Sequence, residues 1–134
     1  MIQRDEFARA LSGSWRLLVG DARAMAWFDT SIDGFWRSFQ AIVLVLPMPI
    51  VELAAQRFLP MAHRVDPSVL EGATYWLGGL AAYVVSWVAF PAILALIAKP
   101  LGLARVYVPF MVARNWTSVL AAAPSFVVTL LFLV

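Results

Sequence analysis

Between Gly72 and Ala98 the chain runs 27 residues without a charged side chain, and Lys99 and Pro100 follow at once. At about 1.5 Å per residue, a helix of that length exceeds the roughly 30 Å hydrocarbon core of a bilayer. The segment predicts a transmembrane helix, and the chain reads as an all-α integral membrane protein. Composition agrees: 63% of the residues are hydrophobic and only 13% are charged. A small soluble domain buries too little of its surface to hide that much apolar area.

Two further hydrophobic segments accompany the first. One covers about 35–59 and carries Pro47 and Pro49 near its centre. Each proline removes a backbone donor, so the pattern predicts a kinked span, with a re-entrant hairpin as the lesser alternative. Thr30, with Asp33 three positions on, matches a capping box at its start. The other covers 116–134, with Pro124 inside it. The expected fold is at least three kinked transmembrane helices, at about 35–59, 72–98 and 116–134, preceded by an amphipathic interfacial helix. The run to Val134 ends without a flanking charge, which suggests that the chain continues into a further span.

Residues 1–30 form a more polar segment. Phe7, Leu11, Trp15 and Leu18 recur at steps of four, four and three and share one helical face, while Gly13 and Gly20 weaken the helix locally. Two readings stand. The helix lies in the cytoplasmic headgroup layer with Trp15 and Trp27 at the interface, or it packs on a protein partner. Residues 99–115 alternate Lys99, Arg105 and Arg114 with apolar side chains and read as a linker on the membrane surface. Asp5 and Glu6 stand where a signal peptide needs positive charge.

Lys and Arg counts orient the chain. Eight of them (Arg4, Arg9, Arg16, Arg23, Arg37, Lys99, Arg105, Arg114) fall on one side and two (Arg57, Arg64) on the other. The positive-inside rule then puts the N-terminus in the cytoplasm and the 60–71 loop outside. The preference for Arg over Lys, with abundant Ala, suggests a GC-rich bacterial genome and hence a bacterial inner membrane.

Few residues carry chemistry. There is no cysteine, so disulfides, thiolate metal sites and thiol catalysis are excluded. A net charge of +2 on scattered basic residues leaves no nucleic-acid footprint. Glu52 is the sole acidic residue inside an expected span, with Gln56 one turn on and Gln40 in the same segment. An ionisable group in lipid is a functional-site candidate by default. Proton carriers need several such groups on facing helices, so a structural or interface role is favoured for Glu52. His63 reads as a loop histidine, with single-nitrogen ligation of a pigment as the weaker reading. No metal or cofactor site and no catalytic group is expected, and contacts with pigment or lipid are the most the pattern allows.

Small residues are more informative. Gly78, Ala82 and Ser86 step by four along the second span, and Thr117, Ala121, Ser125 and Thr129 do so along the third. Such stripes let helix backbones approach. The simplest expectation is that the two spans pack on each other, and the alternative is that one stripe docks another protein. The first span lacks a stripe and offers Ile42, Val43, Leu44, Val45, Leu46, Ile50 and Val51 to lipid or a bulky partner. The expected function is a non-catalytic accessory or assembly subunit of a larger inner-membrane complex, by analogy a photosynthetic or respiratory one, with membrane lipids and other subunits as partners. A transporter component using Glu52 and a membrane-organising or lipid-sensing protein are the alternatives.

Overall fold

The structure, a computed structural model, describes residues 4–56, 66, 68–69 and 72–133. Among them every regular element is helical. Helix α1 covers Arg4–Leu18 and is followed by a short 3-10 turn at Ala24–Trp27. Three short helices, α2 (Ile32–Ser38), α3 (Ala41–Val45) and α4 (Pro47–Ala55), run head to tail. Two long helices complete the fold, α5 (Ala73–Ala98) and α6 (Ala104–Leu133). Two helical stretches, Ile32–Ala55 and Ala73–Ala98, are long and apolar enough to cross a membrane.

The first of these stretches is broken at two joints, and Pro47 accounts for the second. Gln40 and Leu46, the joints between the short helices, keep right-handed helical backbone angles, so the chain bends without reversing. Pro47 opens α4, where a missing N–H costs least. The helix start differs from the capping box read from the sequence. Ser31, not Thr30, is the N-cap, its hydroxyl accepting from the Gly34 N–H at 3.0 Å. Asp29 in turn accepts from the Ser31 N–H, which closes the turn before α2.

Helix α6 is the axis of the fold, and here the sequence expectation needs correction. Residues 104–115 do not form a separate surface linker: they are the first turns of the same helix that continues to Leu133. Met111, Val112, Ala113, Asn115 and Trp116 are among the most buried residues of the molecule. The connection from α5 is a tight turn in which Gly102 takes a positive φ of 71°, a conformation that a Cβ would strain. The Leu103 N–H then reaches the Ala98 carbonyl at 2.7 Å and closes the end of α5.

Helix α1 packs on α6 through Phe7 of the periodic stripe and, more closely, through small residues outside that stripe. Its buried residues are Ala10, Gly13 and Ser14, with Phe7 and Leu17 partly buried beside them. Trp15 and Leu18 point outward, 62% and 54% exposed. Small residues let α1 sit close to its neighbours, and the large apolar side chains are left on the outer face. Val45 of α3, expected on the lipid-facing side, is instead part of the core, while Val43, Leu44 and Ile50 are exposed.

Candidate functional site

Three consecutive residues of α6 reach three different elements. A helix turns about 100° per residue, so Arg114, Asn115 and Trp116 fan out from one level of the axis. Arg114 stacks over Trp87 and Phe90 of α5, its guanidinium carbon 5.0 and 4.8 Å from the two ring centroids. Asn115 donates to the Ser38 hydroxyl of α2 at 2.9 Å. Trp116 meets Phe7 of α1 edge-on, with centroids 6.1 Å apart.

The polar members form a directed chain. Arg114 donates to Asn115 Oδ1 at 3.2 Å, Asn115 Nδ2 donates to Ser38 Oγ, and Ser38 donates to the Phe35 carbonyl at 2.7 Å. Asn115 and Ser38 are fully buried. Buried polar groups are tolerated where each finds a partner, and this chain satisfies its interior members in series. Arg114 itself has no carboxylate within ion-pair distance among the described residues. Two buried polar atoms without a hydrogen-bond partner belong to the same neighbourhood: Trp87 Nε1, in the ring under the guanidinium, and Thr117 Oγ1, one turn along α6.

A second polar cluster fixes the N-terminal segment. Arg37 of α2 donates to Glu6 of α1 at 2.9 Å and also pairs with Asp29 in the loop before α2. Arg37, which the sequence only counts among the basic residues of the cytoplasmic side, is occupied by these two carboxylates. Ser31, through its hydroxyl and its N–H, and then the Arg37 charge hold the Asp29 carboxyl below the usual aspartate range. At the end of α1, the Arg23 N–H and the Arg16 guanidinium do the same for Asp21, whose carboxylate is 2.7 Å from Arg16.

The intramembrane polar residues expected from sequence separate. Gln56 is exposed and lies 2.9 Å from the Tyr75 hydroxyl, which donates to the Leu53 carbonyl at 3.0 Å. This ties the end of α4 to the start of α5. Glu52 is half-buried on α4. Gln40 lies at the joint between α2 and α3, half-buried. Arg57, His63 and Arg64 fall outside the described residues. Among the described residues no group of acidic or histidine side chains has the makings of a metal site.

The small-residue stripes are not the seam between α5 and α6. Gly78, Ala82 and Ser86 are exposed, and so are Ala121 and Ser125. Thr117 and Thr129 are half-buried, Thr129 bonding only back to the Ser125 carbonyl. A Cβ on Gly78 would meet nothing within 4 Å, whereas one on Gly79 would come within 2.7 Å of Leu53. The close helix approach thus uses Gly79 against α4. Helices α5 and α6 meet instead through Trp87, Pro91 and Ala98, with the Tyr107 hydroxyl donating to the Pro91 carbonyl at 3.0 Å. Sequence reading missed Ser38, Trp87, Arg114 and Asn115; its one available signal was the Arg-Asn pair abutting the uncharged run.

Comparison with family models, with curated proteins and with solved structures finds no match to this chain.

Proposed function

We propose that the chain is a multi-pass protein of a bacterial inner membrane and serves as a non-catalytic accessory or assembly subunit of a larger complex. One observation carries the reading. The only buried residues of α5 are Trp87, Pro91 and Ala98, although the helix runs for 26 residues. Leu77, Val85, Ile93 and Leu96 are all more than half exposed, and no element among the described residues covers them. The small residues Gly78, Ala82 and Ser86 lie open on the same helix, the surface a neighbouring helix needs for close approach. Ile32–Ala55, α5 and the 116–133 part of α6 are the three crossings in this reading. The eight-to-two imbalance of Lys and Arg supports a cytoplasmic N-terminus.

Gentle detergent extraction from the native membrane, with mass spectrometry of what co-migrates, tests the proposal. A stoichiometric larger complex that is lost in Ala82→Leu, while the isolated chain keeps its stability, is the expected result. A monomer or homodimer in the same extract overturns it.

A transporter component is the second reading, favoured by Glu52, a carboxylate half-buried within the candidate crossing stretch Ile32–Ala55. It requires substrate flux from the purified chain in liposomes and loss of that flux in Glu52→Gln. The accessory reading expects no such flux and retention of the Glu52→Gln chain by its complex.

A further inference from the structure

We infer that the groove between α6 and the N-terminal segment, with Arg114 at its wall, is a binding site for one anionic phospholipid. The groove is open, about 490 Å³, and lined by Leu17, Met25, Ala113, Arg114, Thr117 and Ala121 among others. Its walls are apolar and suit an acyl chain, and Arg114 is its only charged side chain. A guanidinium has five N–H donors. Arg114 commits one of them to Asn115 Oδ1, and no carboxylate among the described residues pairs with its charge. Trp87 and Phe90 flank it, which holds the cation in place and strips water from it without supplying an acceptor.

The buried, unpartnered Thr117 hydroxyl is an independent sign on the same wall. It sits one helical turn from Arg114, and Trp87 Nε1, also buried and unpartnered, belongs to the ring beneath the guanidinium. At the groove wall Arg114 therefore has donors to spare and lacks an anionic acceptor with several oxygens. A phosphate diester supplies that, and its chains continue along the apolar part of the groove. The Arg16–Asp21 pair shows the contrast: the groove beside Trp15 also contains an arginine, but there a carboxylate already occupies it.

Native mass spectrometry of the full chain in detergent, titrated with phosphatidylglycerol or phosphatidylcholine vesicle lipid, tests the site. The expected result is one phosphatidylglycerol retained per chain at concentrations where phosphatidylcholine is not. Arg114→Gln should weaken that retention by about tenfold or more, the scale of a lost charge-assisted bond. Arg105→Gln, an exposed arginine on the same helix, should leave it unchanged. Ala121→Phe keeps the charge and fills the groove from its exposed rim, so it should also remove the lipid, and it covers the case in which Arg114→Gln fails to fold. Equal retention of the two lipids, or equal retention by wild type and a folded Arg114→Gln, overturns the proposal. So does a lipid-free dimer that Ala121→Phe dissociates, which would give the groove to a second copy of the chain.

Discussion

The Asn115 side chain on α6 donates to the Ser38 hydroxyl on α2 at 2.9 Å, and both residues are fully buried. The bond joins residues 77 positions apart and pins the N-terminal half of the kinked stretch to the central helix. Ser38→Ala would leave the Asn115 amide buried and short of an acceptor, with an expected cost of about 1–2 kcal/mol. A double-mutant cycle with Asn115→Ala, followed by thermal unfolding in detergent, should show the two losses to be strongly non-additive. Additive losses would mean that the pair contributes nothing as a pair.

Close packing at Gly79 gives a second test. Its Cα faces Leu53 so closely that a Cβ would sit 2.7 Å from a Leu53 methyl, while the same atom on Gly78 meets open space. Gly79→Leu is expected to push α4 from α5, strain the Tyr75 hydroxyl's hold on Leu53, and cost about 1–3 kcal/mol. Gly78→Leu should stay within about 0.5 kcal/mol in the isolated protein. Equal effects would remove the distinction.

The two glycines also show what a sequence can and cannot say. Length and polarity made α5 legible, and Pro47 made the joint at Leu46 legible, because those features act through the local backbone, whereas the joint at Gln40 has no proline beside it. Which side of a helix faces its neighbour is a tertiary matter. Hydrophobic periodicity groups Phe7, Leu11, Trp15 and Leu18 on one face of α1, for a membrane interface or a partner, and does not say which residues meet the rest of the chain. Ala10, Gly13 and Ser14 make the close approach, because small side chains let backbones come near, while Trp15 and Leu18 stay exposed. Small size alone does not decide the matter either: the regular stripe of Gly78, Ala82 and Ser86 is exposed on α5. Arg114 and Asn115 escaped notice because their partners, Trp87 and Ser38, lie far off in the chain.

Acid should loosen the N-terminal segment. Asp29 and Asp21 have folded-state values depressed below the ordinary 3.8 of an aspartate, so each favours the folded state at neutral pH. That contribution is fully present above the unfolded value and is lost as pH falls through the folded one. Hydrogen exchange across residues 4–31 should therefore be flat from pH 7 down to about 4, after correction for intrinsic rates, and rise below it. Asp29→Asn should raise exchange there at neutral pH and blunt the acid response. A response centred near pH 6 would assign the loosening to another group.

Topology is the last expectation, and the chain is suited to it because it has no cysteine of its own. Ser12 and Ser68 are both exposed, so a single cysteine at either position is reachable by a soluble reagent. Ser12 gives up only a bond back to the Ala8 carbonyl, and Ser68 precedes α5 by a few residues. Ile32–Ala55 lies between the two positions, and if it crosses the membrane they must lie on opposite sides. In sealed inverted vesicles an impermeant maleimide should label Ser12→Cys at once, and Ser68→Cys only after the vesicles are opened. Right-side-out vesicles should reverse the order. Labelling of both from one side would mean that the kinked stretch turns back instead of crossing, with Pro47 and Pro49 as the bend of a hairpin and α5 inserted in the opposite sense.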